Sequence, residues 1–294
     1  MSRSLRVLYN PASGRGRGAR AIGGIRAAFA HYGFTDVRGT ERSGDEARLV
    51  REALDDGIET IVVAGGDGTW SKCAVPLARA GSPARIALLA AGTGNDFAKN
   101  LGLDPRHPSA LAKRLADGDV RERRVDMGRV DDHWFLNVAG FGFDAAVLEA
   151  TQRSTLLRGP ALYVGTALRE ILSYEGIEVR IDGAASQRYL LTVFSNGKFF
   201  GGTFRIAPDA QIDDARLDAI LIDDVAKLKR PLLLASAISG SHVRGPHCTH
   251  RRFADLRLEF AEAPFCEIDG DLVRTASARV EVASVPAALR IVDH

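Results

Sequence analysis

Apolar residues in about the first 120 positions fall into short runs, and each run ends in a polar, glycine-rich segment. The runs are Leu5 to Tyr9, Ile61 to Ala64 and Arg85 to Ala91. Their length and composition are typical of parallel strands that are buried on both faces. A stretch of helical composition follows each run, which is the order of a βα unit. The pattern predicts a Rossmann-like α/β domain with a parallel sheet.

The pattern changes after residue 120 or so, where short strands follow one another with little helix between them. We expect a second, mainly antiparallel β-sandwich domain over residues 126–285, after an α/β domain over residues 1–125. Helices are predicted near residues 145–150, 161–173 and 231–239. The predicted strands are Arg124 to Val130, His133 to Ala139, Ile177 to Ile181, Tyr189 to Phe194, Leu217 to Ile222, Leu256 to Phe260 and Arg279 to Val282.

Composition narrows the class of protein. The 294 residues include 39 basic and 37 acidic side chains, and this net charge of +2 argues against a nucleic-acid partner. The sequence has neither a signal peptide nor an apolar run long enough to span a bilayer, so we expect a cytoplasmic protein. Three cysteines without metal-ligand spacing indicate reduced thiols and no structural zinc: Cys73, Cys248 and Cys266.

The loop Gly65 to Thr69 holds the clearest candidate chemistry. Its glycines let backbone N–H groups approach an anion at the start of a helix. Asp67 would repel a phosphate unless a cation such as Mg²⁺ offset its charge, which favours a site for a nucleotide with Mg²⁺. The alternative is a tight turn in which Asp67 caps the next helix.

Two neighbouring loops have similar composition. Asn10 to Gly18 precedes a predicted helix from Ala19 to His31, and Gly92 to Asp96 follows the strand that ends at Ala91. The carboxyl ends of parallel strands lie on one edge of a sheet, so these loops should converge with the first. A surface turn and a simple helix cap, respectively, are the alternatives.

Two further signals concern helices in this half of the chain. Ser43 and Glu46 have the spacing of a capping box, which predicts a helix start at that point. Pro76 removes a backbone donor, so it should kink or end the helix after the Gly65 to Thr69 loop.

The predicted second domain carries two acidic segments. Glu267, Asp269 and Asp271 alternate around a glycine, where a hairpin turn is the structural interpretation and a metal or a hydroxyl to be deprotonated is the functional one. Both interpretations hold if the hairpin tip is the site. The other segment is either a site for a hard cation or a solvated turn, and it contains Asp209, Asp213, Asp214 and Asp218.

Taken in order, these segments resemble the diacylglycerol kinase catalytic-domain family, and specifically its bacterial lipid kinases. The resemblance covers nearly the whole chain. It implies an α/β nucleotide domain and a β-sandwich domain, with the last residues, Pro286 to Val292, returning to the first domain. It rests on Asn10-Pro11-Ala12-Ser13-Gly14, Gly65-Gly66-Asp67-Gly68-Thr69, Gly92-Thr93-Gly94-Asn95-Asp96-Phe97-Ala98, Asn196-Gly197, Gly201-Gly202, Ala207-Pro208 and Asp269-Gly270-Asp271.

The family's functional positions can be carried over motif by motif. Asp271 occupies the proton-acceptor position, with Asp269 beside it and Asp67 as a third candidate catalytic residue. The Asp214 side chain and the carbonyl groups of Gln211 and Arg216 match the family's Mg²⁺ site. The candidate nucleotide-binding positions are Asn10, Thr40, Gly65, Gly66, Asp67, Gly68, Thr69, Trp70, Ser71, Thr93 and Asn95.

Two residues depart from the family pattern. Asp271 stands where Glu is usual, so the general base has an arm about one methylene shorter. Ala215 stands where Gly is usual, which affects the backbone that Arg216 would use for ligation.

The resemblance implies a lipid kinase that transfers the ATP γ-phosphoryl group to a lipid hydroxyl with Mg²⁺, with diacylglycerol as the first candidate acceptor. Ceramide or a sphingoid base, a soluble substrate of the NAD kinase type, and a non-catalytic sensor are the alternatives. Such a kinase would act peripherally at the inner face of the membrane, and a homodimer is an open alternative. Leu156 to Tyr174 is a candidate membrane contact, with core packing as the competing interpretation.

Overall fold

The computed structural model describes residues 4–42, 44–91, 94–102, 106–153 and 171–293. The chain divides into two compact units. The first consists of Met1–Met127 with Pro286–His294, and the second is Gly128–Val285. Within the described residues, no helix combines the length and the apolar character needed to cross a bilayer.

A parallel sheet forms the centre of the first unit. Its strands are β1 (Leu5–Tyr9), β2 (Val37–Gly39), β3 (Thr60–Gly65) and β4 (Arg85–Ala90). They lie in the order β2, β1, β3, β4, and Ile291 near the end of the chain pairs in parallel with Ile86 at the far side of β4. The chain moves from β1 outward to β2 and then returns to β3, so the order reverses between β1 and β3. In a sheet of this kind, ligands bind at the carboxyl end of such a reversal.

Helices cover this sheet on both faces, as the continuous apolar strands require. One face packs against α1 (Ser13–Ala30) and α5 (Pro108–Asp117) in a buried cluster that includes Phe29 and Val62. The other helices are α2 (Asp45–Asp55), α3 (Asp67–Arg79) and α4 (Asp96–Leu101).

The structure can be compared with the expectations for three of these helices. Helix α1 begins at Ser13 rather than Ala19, because glycines there allow close packing: a Cβ on Gly14 would lie 2.1 Å from the Ala91 carbonyl oxygen. Helix α2 begins after Gly44, which has a φ of +89°, so a helix starts where the capping-box spacing predicts one. Ser43 lies outside the described residues, and the Glu46 carboxylate accepts a hydrogen bond from Asn10. Helix α3 continues through Pro76 to Arg79, so of the two expected effects the proline does not end the helix.

The second unit is built from two sets of antiparallel strands. The strands are β5 (Arg121–Val130), β6 (His133–Phe135), β7 (Val138–Gly142), β8 (Ile177–Ile181), β9 (Gln187–Ser195), β10 (Leu217–Asp223), β11 (Cys248–Phe253), β12 (Asp255–Glu259), β13 (Phe265–Ile268), β14 (Asp271–Arg274) and β15 (Arg279–Asp293). One set has the order β14, β13, β7, β9, β10, β11, and the other contains β12, β15, β5 and β6. Strand β8 pairs with β9 at one end and with β12 at the other.

Apolar side chains from both sets of strands meet in one core, which makes the unit a β-sandwich. Phe141, Phe194 and Phe253 lie at its centre in edge-on contacts. The outer face of the β9 and β10 pair is covered by α6 (Phe143–Arg153) and α7 (Arg230–Ser239). The predicted fold class, an α/β domain followed by a mainly antiparallel β-sandwich, is confirmed.

Two strand predictions in this unit need correction. The single strand expected from His133 to Ala139 is divided, because the Leu136 and Asn137 N–H groups donate to the Asp269 carboxylate instead of a neighbouring strand. The strand expected to end at Val282 continues to Asp293 as β15 and crosses from the second unit into the first. Pro286 and Ala287, whose φ is +51°, mark the crossing.

Gly128 gives a test of this packing. It pairs with Phe135 across β5 and β6, and a Cβ at Gly128 would lie 1.9 Å from the Phe135 ring. Gly128→Ala should therefore lower stability by about 1–3 kcal/mol, measured as a lower unfolding temperature in calorimetry. Gly23→Ala is the matched control: nothing lies within 4 Å of its new methyl group, and alanine should stabilise the interior of α1. Equal unfolding temperatures for the two variants would contradict the packing argument.

Candidate functional site

A cavity of about 610 Å³ opens at the carboxyl edge of the parallel sheet, at the reversal between β1 and β3. This volume is within the usual range for a small-molecule site. The lining residues come from the ends of β1, β2 and β3 and from the starts of the helices that follow. They are Asn10, Pro11, Ala12, Ser13, Gly14, Thr40, Glu41, Arg42, Glu46, Gly66, Asp67, Gly68, Thr69, Lys72 and Gly94.

Asn10 connects three walls of this cavity. Its side-chain NH₂ group donates to the Thr69 hydroxyl over 3.3 Å and to Glu46 Oε1 over 3.2 Å, while its Oδ1 accepts from the Ala12 N–H over 2.9 Å. Because the amide has both donors and an acceptor, one residue fixes the first loop, the β3 loop and α2. Glu46 is buried, and its other oxygen, Oε2, has no hydrogen-bond partner among the described residues.

The loop after β3 turns directly into α3, whose first turn faces the cavity. The first N–H groups of a helix have no partners within it and carry partial positive charge, which suits an anionic ligand. A Cβ on Gly65 would lie 2.5 Å from the Thr69 side chain, so this close approach requires glycine. Asp67 Oδ1 accepts from the Phe97 N–H over 3.0 Å and joins the loop to the start of α4.

The carboxylate of Asp45 holds the segment after β2 in place. It accepts hydrogen bonds from the backbone N–H groups of Glu41 and Arg42 over 2.9 and 3.1 Å. The bond from Glu41 is the main cause that lowers the pKa of Asp45 to about 2. Asp45 is therefore ionised at neutral pH, and Glu41 and Arg42 stay at the cavity wall.

The predicted nucleotide positions divide into three groups. Asn10, Thr40, Gly66 and the run Asp67 to Thr69 line the cavity. Gly65, Trp70, Ser71 and Asn95 are not among the lining residues, and the Trp70 indole is fully buried with its N–H donating to the Val63 carbonyl oxygen over 3.2 Å. Thr93 lies outside the described residues.

Glu46 and Lys72 line the cavity although sequence reasoning did not select them. Lys72 comes three residues after Thr69 on α3, so helical spacing places it on the same face and could have found it. Glu46 was assigned to a capping box, and nothing in the sequence links it to Asn10.

In the second unit, Asp269 and Asp271 have different environments. Asp269 sits at the tip of the β13 and β14 hairpin with a φ of +46°. Its carboxylate accepts from the N–H groups of Leu136, Asn137 and Val138 over 2.6, 3.0 and 3.0 Å. Asp271 follows the turn and is exposed. Asp269 thus fixes the hairpin, while Asp271 is presented to solvent.

Two buried carboxyl groups lie beneath this hairpin, and the sequence analysis singled out only one of them. Asp144 Oδ2 occupies the space of the missing Gly140 side chain, 1.8 Å from where a Cβ would be. Glu267 is the cross-strand partner of Gly140, so its side chain shares that face of the sheet. Glu267 Oε1 accepts from the Gly270 N–H over 2.5 Å.

Burial controls the ionisation of both acids. It is the main cause that raises the pKa of Asp144 to about 7. The pKa of Glu267 is raised well above its usual range, first by burial and then by the neighbouring charge of Asp144. At neutral pH this part of the hairpin therefore retains carboxyl protons that the unfolded chain would release.

Asp144 also borders a mainly apolar cavity of about 380 Å³ in the same unit. The cavity lies between α6, α7 and the loop around Phe200 and Phe204. Its other lining residues are Phe143, Val147, Ile171, Leu191, Gly201, Thr203, Ile206, Pro231, Leu234 and Ala237.

The predicted Mg²⁺ site at Asp214 stays a prediction, because an arginine guanidinium pairs with the carboxylate in this structure. Asp214 Oδ1 accepts from the Arg216 N–H over 3.0 Å, and the carboxylate forms an ion pair with the Arg252 guanidinium. Ala215 takes the left-handed conformation, with a φ of +63°, that a glycine would adopt more easily. Asp214 Oδ2 pairs with this guanidinium and has no hydrogen-bond partner among the described residues, and no step of the chemistry is assigned to a metal there.

Comparison with known proteins identifies the family. Residues 4–130 match the model of the diacylglycerol kinase catalytic domain, and residues 137–293 match the YegS C-terminal NAD kinase beta sandwich-like domain. The chain belongs to the diacylglycerol kinase-like family of lipid kinases. The resemblance expected from the ordered motifs is confirmed.

Relatives of this lipid kinase family match over nearly the full length. A protein of Mycobacterium tuberculosis named "Diacylglycerol kinase" is 30% identical, over 97% of this chain and 93% of that protein. A Pseudomonas aeruginosa protein named "Probable lipid kinase YegS-like" is 32% identical, over 98% and 93%. The crystal structure of a diacylglycerol kinase from Bacillus anthracis, 20% identical, has a TM-score of 0.74 over 99% of this chain and 97% of that one, which shows the shared fold.

The raised pKa of Asp144 predicts how stability depends on pH. Between pH 4 and pH 7 or so, the folded protein retains a proton at Asp144 that the unfolded chain has lost, so this group's contribution to the free energy of unfolding falls as pH rises. Asp144→Asn removes the contribution. The unfolding temperature of the variant relative to wild type should therefore increase by a few degrees from pH 5 to pH 8 in calorimetry.

Asp45→Asn supplies the opposite case, because the pKa of Asp45 is lowered to about 2. Its stabilising contribution is present above pH 4 and is lost as pH falls toward 2. This variant should unfold at a lower temperature than wild type at pH 7, and the difference should shrink in acid.

The two variants are measured in the same experiment. If the unfolding temperature of Asp144→Asn differs from that of wild type by the same amount at pH 5 and pH 8, the raised pKa of Asp144 is contradicted.

Proposed function

We propose that this protein is an ATP- and Mg²⁺-dependent lipid kinase that transfers the γ-phosphoryl group to the hydroxyl of a lipid with long acyl chains. Diacylglycerol, which would give phosphatidic acid, is the first candidate acceptor because it is the substrate named for the Mycobacterium tuberculosis relative. The observation that carries the proposal is the polar cavity at the sheet reversal, framed by the start of α3.

The polar cavity suits the phosphates of a nucleotide. Backbone N–H groups of Gly68 and Thr69 lie at the start of α3, and Lys72 and Arg42 add positive charge at the wall. Asp67 belongs to the same wall, and a carboxylate beside phosphate oxygens is a usual ligand for Mg²⁺. When bound, Mg²⁺ would neutralise charge on the phosphates, and in this chain Asp67 is the residue we assign to hold it.

The apolar cavity of the second unit suits the acyl part of the acceptor. Phenylalanine, leucine and isoleucine side chains form most of its wall, and Asp144 supplies a carboxyl group that is half protonated near pH 7. A lipid with one hydroxyl beside long chains has the same combination of apolar and polar groups.

Asp271 is the residue that we assign as general base. The acceptor oxygen would form its bond to the γ-phosphorus while the bond to the bridging oxygen of ADP breaks, and the hydroxyl proton would pass to the Asp271 carboxylate. Asp269 is the weaker candidate, because its carboxylate already accepts from three backbone N–H groups. We therefore assign Asp269 to positioning the hairpin.

Substitution of these two residues separates the roles. Asp271→Asn should lower kcat by about 10²–10⁴-fold with an unchanged unfolding temperature, since the side chain is exposed. Asp269→Asn should lower both kcat and the unfolding temperature, because an amide has only one acceptor oxygen for the three N–H groups. ADP release and calorimetry measure the two effects, and Asp255→Asn, at an exposed position in β12, is the control. An Asp271→Asn enzyme with wild-type turnover would overturn the assignment.

Lipid specificity is measured with the purified protein, ATP and Mg²⁺. Diacylglycerol, ceramide, a sphingoid base and phosphatidylglycerol are offered in mixed micelles, with NAD as the soluble competitor. Phosphorylation of a lipid supports the proposal and names the acceptor. Phosphorylation of NAD alone would overturn it.

A further inference from the structure

The helix α7 and the short turn before it present apolar side chains to solvent. Leu228 is 90% exposed, Leu232 is 77% exposed and Ile238 is 49% exposed. Ala235 is exposed between Leu232 and Ile238, and helical spacing places these three residues along one face of α7, with Leu228 in the turn before it. We call these four residues, Leu228, Leu232, Ala235 and Ile238, the leucine face.

The opposite side of α7 is apolar as well. Ala237 is fully buried, and Leu233 and Leu234 pack against the core on the outer side of the β9 and β10 pair. The sequence has no Asp, Glu, Lys or Arg between Arg230 and Arg244. An ordinary surface helix has a polar face toward water, so a helix that is apolar on both sides requires a second apolar environment.

Arg230 holds the start of this helix firmly in the fold. Its side chain is 2% exposed and donates to the carbonyl oxygens of Ile171 and Tyr174 over 2.8 and 2.7 Å. It also forms an ion pair with Asp224 over 2.6 Å. The exposure of Leu228 and Leu232 therefore belongs to a helix whose start is anchored by buried contacts.

The leucine face lies directly outside the apolar cavity. Pro231, Leu234 and Ala237 of α7 line that cavity from within, while Leu232 and Ile238 point to solvent. The helix is thus a single layer between water and the space we assign to the acyl part of the lipid. A bilayer in contact with the leucine face would lie one helix away from that space.

Lysines stand beside the leucine face where a lipid headgroup would lie. Lys227 and Lys229 flank Leu228, and both are exposed. Lys227 forms an ion pair with Glu175 over 2.6 Å. Leucine that inserts at the headgroup boundary, with lysine beside it, is the usual combination for binding to anionic lipid.

We propose that the leucine face, with Lys227 and Lys229, docks on an anionic lipid bilayer and brings the apolar cavity to the membrane surface. This inference rests on the proposed lipid kinase function. The other candidate membrane contact, Leu156 to Tyr174, stays a prediction: residues 154–170 lie outside the described ranges, and of the rest Ile171 is 3% exposed and Leu172 is 48% exposed.

The experiment compares membrane binding with activity in micelles. The double variant Leu228→Glu with Leu232→Glu should reduce pelleting with phosphatidylglycerol-containing vesicles by at least about tenfold, since it removes two leucines that would be buried in the bilayer on docking. Turnover with a short-chain diacylglycerol in detergent micelles should stay within about twofold of wild type, because neither residue lines the cavity. Ala184→Glu with Ala185→Glu, in the exposed turn between β8 and β9, adds the same charge and should bind like wild type.

Further readouts separate this proposal from its rivals. Lys229→Gln should weaken binding to vesicles with phosphatidylglycerol severalfold and leave binding to pure phosphatidylcholine vesicles unchanged. A wild-type dimer that becomes monomeric in the leucine variant, with vesicle binding intact, would overturn the proposal in favour of a second copy of the chain. If the wild-type protein is a monomer, unchanged vesicle binding in the Leu228→Glu with Leu232→Glu variant would overturn the proposal as well. Vesicle binding is measured without ATP, so a protein that docks but phosphorylates no lipid contradicts the kinase proposal alone.

Discussion

Asn10 joins the ends of two parallel strands at the one place in the first sheet where the strand order reverses. At the reversal, the connections that leave β1 and β3 run in opposite directions along the sheet, which leaves a space between them. Hydrogen bonds from one amide to Thr69 and Glu46 set the width of that space. The glycines on either side permit the same geometry, since Gly65 touches Thr69 and Gly14 touches the end of β4. The polar cavity depends on these contacts.

The sequence predicted the first unit well because its signals are local. Buried parallel strands are apolar without interruption, and the glycine-rich loops after them mark the carboxyl edge whatever the packing of the helices. The convergence of Asn10 and the run Asp67 to Thr69 on one cavity was therefore predictable, whereas Thr40 was expected only from the family resemblance. The bounds of α1 were not, because Gly14, whose φ is +56°, also faces the Ala91 backbone, which is distant in sequence.

The second unit was harder to predict because its important contacts join residues far apart in sequence. Nothing near Leu136 indicates that its N–H group will donate to Asp269, yet that contact divides one expected strand into two. The alternation of Glu267, Asp269 and Asp271 suggested a shared acidic site. In the fold, Glu267 is buried opposite Gly140, Asp269 binds backbone and Asp271 is exposed, so three similar residues have three separate environments.

The passage of β15 through both units has a consequence for how the chain folds. Ile291 is the last strand partner of the first sheet, and it pairs with Ile86, so the entire second unit lies in the loop between the two. Closing so long a loop costs entropy that only the final contacts repay. During synthesis, the edge of β4 stays unpaired until Ile291 has been added to the chain. The second unit is continuous in sequence, so it can fold before the first unit is complete.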